Sequence, residues 1–116
     1  MTPDTKRPIG RDHRIMAYEE TQTFSCDAPR LFNIIRDPAQ WPAEGEPRIL
    51  KSREADFVQV AFADATRATL NLTRSAVGSG CEVSLSHDLC TDLAQVNHWR
   101  DYWASFFESL RKRVEL

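Results

Sequence analysis

Residues 91–116, TDLAQVNHWRDYWASFFESLRKRVEL, contain two tryptophans and two phenylalanines close together. Apolar residues in this stretch recur at steps of three and four, the spacing that aligns side chains along one side of an α-helix. They are Leu93, Val96, Trp99, Trp103, Phe106, Phe107, Leu110 and Val114. A helix of about 22 residues is about 33 Å long. The pattern therefore predicts one long helix whose aromatic side needs a large apolar surface to cover it.

Both ends of this helix carry suitable polar residues. Thr91 or Asp92 can cap its N-terminus, and Gln95 follows Asp92 at capping-box spacing. Basic residues lie near its C-terminus, where the helix dipole favours positive charge; they are Arg111, Lys112 and Arg113.

Five segments upstream alternate between apolar and polar residues, the pattern of strands with one buried face. They are residues 15–26, 48–53, 57–63, 66–74 and 81–89. In the last of them Leu89 continues the apolar face, and Cys90 would point the other way. The connections between the last four are short, which favours an antiparallel meander.

A short helix is predicted after the first strand. Asp27 is suited to be its N-cap, and Pro29 fits the first turn, where a missing N–H costs nothing. The helix should end at Asp37, because a residue that precedes proline is pushed out of the α region. A loop that contains Trp41 follows.

These elements predict a single α+β domain over residues 15–116, preceded by a flexible arm, residues 1–14. A curved antiparallel sheet of about five strands would pack its apolar face on the long C-terminal helix. The arm contains two prolines, one glycine and many charges, so it has little to bury.

Composition excludes several classes of function. The net charge of −2 comes from 15 basic and 17 acidic residues, which gives no electrostatic case for nucleic acid or a membrane surface as partner. An odd number of cysteines without a leader favours reduced thiols and a cytoplasmic location. No metal-ligand spacing, phosphate-binding loop or catalytic motif occurs, so no cofactor, metal or catalytic residue is predicted. This favours a protein that is not an enzyme but leaves that question open.

The order and the amino-acid sequences of three segments resemble those of the SRPBCC (START-like) superfamily, and most of all those of bacterial homologues of the heat-shock-protein-90 ATPase activator. The segments are FSCDAPRLFNIIRDPAQW at residues 24–41, CEVSLSHDL at residues 81–89 and HWRDYWASFFESLRKRV at residues 98–114. The resemblance implies a helix-grip (START-like, Bet v-like) fold with a ligand cavity between the sheet and the long helix. Four strands follow the short helix here, where the family usually has six, so this chain resembles a shortened member.

Within such a cavity the candidate ligand-binding residues are Tyr18, Glu20, Trp41, Leu85, His87, Trp99 and Trp103. His87 and Glu20 interrupt apolar inward faces, so they would be the polar anchors of an apolar pocket. Structural interpretations remain open for each of them: pairing of His87 with backbone or a side chain, exposure of Glu20 by a bulge or twist, and a place in the core for the tryptophans.

Two functions remain open. The first is binding of a small hydrophobic ligand in the cavity. The alternative is a protein-interaction module, with a protein partner or as a homodimer, whose core is filled. An enclosed apolar void of a few hundred cubic ångströms would favour the first function. A filled core with an exposed apolar patch above about 400 Å² would favour the second.

Overall fold

The computed structural model describes residues 16–37, 41–42, 45–74 and 80–114. The predicted arm, residues 1–14, lies outside the described residues. Five strands and two helices follow one another along the described chain. In order they are β1 (Met16–Phe24), α1 (Ala28–Ile35), β2 (Arg48–Arg53), β3 (Phe57–Ala61), β4 (Arg67–Arg74), β5 (Cys81–Cys90) and α2 (Leu93–Val114).

The five strands form one antiparallel sheet in the order β1-β5-β4-β3-β2. The last four strands of the chain are therefore a meander, and β1 joins it beside β5. One face of this sheet is buried, and its central positions come from β3, β4 and β5. They are Val58, Val60, Ala68, Leu70, Leu72, Cys81, Val83 and Leu85. The α+β architecture predicted from the alternating pattern is confirmed.

The two helices divide the buried face between them. Helix α2 packs on β1 and β5, while α1 packs on β3 and β4. Helix α1 contributes Leu31, Phe32 and Ile35 to the core. Its beginning is set by Asp27, whose side chain accepts a hydrogen bond from the Arg30 backbone N–H at 3.0 Å.

Helix α2 has the predicted length of 22 residues. The Asp92 carboxylate accepts from the Gln95 backbone N–H at 2.8 Å, and the Gln95 side chain accepts from the Thr91 backbone N–H at 2.7 Å. The prediction that Leu93 belongs to the buried stripe is wrong, because its side chain is 64% exposed in the first turn. Tyr102, which the stripe omitted, is buried.

The inward position predicted for Leu89 is also wrong. Cys90 pairs with Met16 and His87 pairs with Tyr18, so Asp88 and Leu89 together lie opposite the single residue Ala17. This β-bulge gives Leu89 a left-handed backbone with φ of 66°. It turns the Leu89 side chain outward and brings Cys90 into the core, where its thiol is fully buried.

Trp103→Ala should lower the free energy of unfolding by about 3–5 kcal/mol, because the Trp103 ring is fully buried in the middle of α2. Leu93→Ala is the matched control on the same helix, and it should change stability by no more than about 0.5 kcal/mol. Urea denaturation followed by circular dichroism measures both. A loss below about 1 kcal/mol for Trp103→Ala would contradict this packing.

Candidate functional site

Aromatic rings fill the space between the sheet and the first half of α2. The members of this aromatic cluster are Trp41, Phe62, His87, Trp99, Tyr102, Trp103 and Phe106, and none is more than 7% exposed. Ring centroids lie 4.4 Å apart for Phe62 and Trp99, 4.3 Å for His87 and Trp99, and 5.0 Å for Phe62 and His87. Aromatic pairs at these separations add to the stability that area burial alone supplies.

Trp41 closes one side of the cluster. Its ring lies 4.5 Å from the Phe106 ring and meets the Trp103 ring edge-on at 5.5 Å. Its indole N–H donates to the Ile35 carbonyl at 2.7 Å, which fastens the segment after α1 to the end of that helix. The sequence predicted Trp41 as a candidate ligand-binding residue, and the structure places it inside the packed cluster.

Gly45 allows the chain to pass close over this cluster. Its φ is +79°, and a Cβ added there would lie 2.8 Å from the Trp99 ring. The Gly45 carbonyl also accepts a hydrogen bond from the Ala63 N–H at 2.9 Å. A larger residue here would meet both backbone strain and a ring that cannot move without disturbing its neighbours.

His87 lies in the middle of the cluster, and both of its ring nitrogens are engaged. The indole N–H of Trp103 donates to Nδ1 at 2.9 Å, and Nε2 lies 2.7 Å from the Thr66 hydroxyl. Because an indole N–H can only donate, Nδ1 must be the acceptor and Nε2 must carry the proton. His87 is therefore held as one neutral tautomer, with no ring nitrogen left for a ligand in this arrangement.

Burial lowers the pKa of His87 to about 4. The Asp64 carboxylate opposes this drop in pKa, and His98 adds to it slightly. Protonation of Nδ1 would also place a proton against the Trp103 indole N–H, so the charged ring would lose a hydrogen bond as well as its hydration.

Asp64 is the hydrogen-bond acceptor at the other end of this network. Its Oδ1 accepts from the Thr66 backbone N–H at 3.0 Å and from the Thr66 hydroxyl at 2.5 Å. Its Oδ2 accepts from the Trp99 indole at 2.9 Å and from the Gln95 amide at 3.0 Å. Partial burial alone would raise the pKa of Asp64, but these donors outweigh it and lower that pKa.

A separate polar group lies where β1 meets α2. The Tyr18 hydroxyl donates to Glu20 at 2.7 Å, and the Gln22 amide donates to the other carboxylate oxygen. Arg111 of α2 donates to the Gln22 side chain at 2.9 Å and lies over the Phe24 ring. Burial and the bond to Glu20 raise the pKa of Tyr18 to about 12. The polar residues that interrupt β1 are thus half-buried and bonded to one another.

Six of the seven predicted site residues fall into two groups, and Leu85 belongs to neither. Trp41, His87, Trp99 and Trp103 belong to the aromatic cluster. Tyr18 and Glu20 belong to the polar group on β1, and Leu85 lies between β1 and β4 in the sheet, opposite Glu20 and Leu70.

Sequence reasoning did not identify Asp64 and Thr66, the partners that link His87 to the surface. They flank Ala65 in the turn between β3 and β4, where Ala65 has a φ of 72°. An Asp two residues before a Thr in a short turn is a signal for local side-chain-to-backbone bonding, which could have pointed to Asp64. The hydrogen bonds between Asp64 and α2 join segments that are distant in the sequence, so no local pattern could have predicted them.

An open surface cleft of about 250 Å³ lies on the other side of α2. Its lining residues are Pro42, His98, Asp101, Tyr102 and Ser105. Asp101 forms an exposed ion pair with Arg100 at 3.4 Å. This cleft lies outside the space between sheet and helix in which the sequence predicted a ligand.

No family model and no curated protein matches this chain, but solved structures do. The Aha1 dimer from Colwellia psychrerythraea matches with a TM-score of 0.71 at 14% identity, over 87% of this chain and 97% of that chain. Protein CV1439 from Chromobacterium violaceum matches with a TM-score of 0.67 at 15% identity, over 86% of this chain and 97% of that chain. An AHSA1-like protein from Rhizobium etli matches with a TM-score of 0.65 at 12% identity, over 84% and 80%.

The chain has the Aha1-like fold. The helix-grip fold predicted from the sequence resemblance is therefore confirmed. Within the part of the chain that the structure describes, neither helix is long and apolar enough to cross a membrane.

Stability should fall as the pH drops from about 6.5 to about 4, the interval between the ordinary histidine pKa and that of folded His87. The unfolded chain binds the His87 proton in this interval and the folded chain does not, so acid favours unfolding. The loss due to His87 should approach roughly 3 kcal/mol at the acid end. Above pH about 6.5 this contribution to stability is complete.

His87→Gln should flatten the dependence of the unfolding free energy on pH in this interval. Urea denaturation at a series of pH values measures the slopes. An unchanged slope in His87→Gln would show that His87 does not govern acid sensitivity.

Proposed function

We propose that this chain is a protein-interaction domain with a filled core, and that it does not carry a small hydrophobic ligand between sheet and helix. The observation behind this proposal is that the aromatic cluster fills the space in which a START-like carrier would hold its ligand. Stacking of Phe62, His87 and Trp99 brings ring centroids to within 4.3–5.0 Å, which leaves no layer for another ring between them.

The hydrogen bonds inside the cluster support the same function. A ligand anchored on His87 would have to displace the Trp103 indole or the Thr66 hydroxyl. The buried indole N–H would then lose its acceptor, and the Thr66 hydroxyl would keep only its bond to Asp64. A buried polar group that loses its hydrogen bond costs about 1–3 kcal/mol. Ligand entry at His87 is therefore opposed by the protein's own bonding.

The place of α1 and Trp41 also supports a filled interior. Helix α1 covers β3 and β4 with Leu31, Phe32 and Ile35, and Trp41 packs between α1 and α2. Together they occupy the half of the sheet that α2 leaves uncovered. Partners would then contact the outside of the domain. The solution structure from Colwellia psychrerythraea is described as a dimer, which makes a second copy of this chain one such partner to test.

Wild-type protein should bind neither benzene nor indole, whereas Phe62→Ala should bind benzene and be stabilised by it. Phe62 contacts five other members of the cluster, and its removal leaves an apolar void that stays dry and accepts a ring of the same size. The shift in melting temperature with added benzene measures binding in both proteins.

Native mass spectrometry of the wild type completes this test. Protein purified from its own cells should carry no retained small molecule. A stoichiometric fatty acid, sterol, flavonoid or aromatic acid, or a benzene-induced stabilisation of the wild type equal to that of Phe62→Ala, would overturn the filled-core proposal.

A further inference from the structure

The sheet has a second face, turned away from α1 and α2, on which charges are segregated. One row of residues crosses all five strands on this outer face. By register it runs Glu19, Ser86, Thr69, Gln59, Lys51. The row begins with an exposed carboxylate on β1 and ends with an exposed ammonium group on β2, and only hydroxyl and amide groups lie between them.

The other rows of the outer face have the same polarity. In the next row Asp88 on β5 is followed by Arg67, Ala61 and Arg48 on β4, β3 and β2. Arg53 ends a third row on β2, where it also pairs with Asp56 in the adjacent turn at 3.3 Å. Acidic side chains of this face thus belong to β1 and β5, and basic ones to β4 and β2.

Two bulges add apolar side chains to this face. The bulge in β5 turns Leu89 outward, and a second register shift, between Ile49 and Lys51, does the same for Leu50 in β2. Each of these leucines is 41% exposed. Leu89 holds a left-handed backbone, which costs a leucine free energy that glycine would not lose. An outward leucine at this position therefore indicates that its side chain contacts something outside the domain.

Asp88 provides a further observation at the same place. Its Oδ1 is buried and has no hydrogen-bond partner within the described residues. A buried carboxylate oxygen without a donor is costly unless a cation approaches it. This oxygen is already closed to solvent within one copy, so a basic group above the outer face would stabilise the carboxylate through its charge and not through a new hydrogen bond.

We propose that a second copy of this chain packs on the outer face, around a two-fold axis that runs parallel to the strands above β4. The proposal rests on the interaction function argued above. This axis places β1 of one copy over β2 of the other, so Glu19 faces the partner's Lys51 and Lys51 faces the partner's Glu19. Asp88 then lies above the partner's Ala61, between the partner's Arg48 and the partner's Arg67.

The charge pattern favours this two-fold dimer over other orientations of the second copy and over other kinds of partner. A two-fold axis perpendicular to the strands would place β1 on β1 and bring like charges together. A uniformly acidic or uniformly basic partner would match one half of the face and repel the other. When the same face is rotated about the proposed axis, Glu19 and Lys51 meet opposite charges at both ends of their row, and Asp88 meets the partner's Arg48 and the partner's Arg67. Arg67 itself lies on the axis, where the partner's Arg67 faces it and the two Asp88 carboxylates flank the pair.

The area of the outer face limits how strongly two copies should bind to each other. Five strands about 4.8 Å apart and about five residues long present roughly 400 Å² per copy. This is about half of the area that each partner buries in a standard interface, so the dimer should be weak, with a dissociation constant in the micromolar range or above. Its charge pairs should make it sensitive to salt.

The test is a charge exchange followed by sedimentation equilibrium of the full chain. Wild-type protein should be in monomer–dimer equilibrium at about 0.05 M salt and shift toward monomer at about 0.5 M salt. Glu19→Lys and Lys51→Glu should each raise the dissociation constant at least tenfold, because each brings like charges together twice in the symmetric dimer. An equimolar mixture of the two variants should form a dimer again, since both contacts in the mixed dimer join opposite charges.

Glu108→Lys and Lys112→Glu, at exposed positions of α2 on the other side of the domain, are the matched controls and should dimerise like the wild type. Circular dichroism establishes that every variant is folded. A wild-type chain that stays monomeric at several hundred micromolar and low salt overturns the proposal, and so does a dimer that Glu19→Lys and Lys51→Glu leave unchanged. Neither result bears on the filled core, whose failure would appear as a retained small molecule in native mass spectrometry.

Discussion

The hydrogen bonds of His87 join three parts of this domain: β5, the long helix α2 and the turn between β3 and β4. Through Trp103 the imidazole is tied to the middle of α2, and through Thr66 and Asp64 it is tied to the turn between β3 and β4 and to Gln95 near the start of the same helix. A polar ring at the centre of a hydrophobic core is tolerated only when every polar atom is bonded. Because each bond comes from a different element, the network fixes how the long helix lies on the sheet.

The aromatic cluster surrounds this network and excludes water from it. All three tryptophans of the chain keep an acceptor for the indole N–H: the Ile35 carbonyl, Asp64 and His87. Large rings therefore fill the interior without leaving an indole N–H unpaired. Side chains occupy the space between the sheet and α2, and α1 with Trp41 covers the neighbouring part of the sheet on β3 and β4.

Local patterns accounted for most of the architecture. The three-and-four spacing and the caps predicted α2, Asp27 and Pro29 predicted α1, and alternation predicted all five strands. What could not be predicted depends on neighbours in space. The inward turn of Cys90 follows from a bulge that exists only because β5 is paired with β1, and a period-two pattern read from β5 alone places Leu89 inside instead. The environment of His87 depends on Asp64, a turn residue whose partners on α2 lie about thirty positions further along. The sequence therefore predicted which positions belong to the candidate site, but it did not predict the hydrogen bonds that their side chains make.

The gathering of all three tryptophans in one buried cluster decides what optical signals this protein gives. Trp41, Trp99 and Trp103 are 7%, 1% and 0% exposed, and their rings are fixed at set angles to aromatic neighbours. Emission should be blue-shifted and near-ultraviolet circular dichroism strong, because the indoles share a dry and asymmetric environment. Both signals report on a single event, the loosening of the core. Contacts made on the far side of the sheet leave these chromophores undisturbed, so they are invisible to intrinsic fluorescence and have to be followed by mass or by a label.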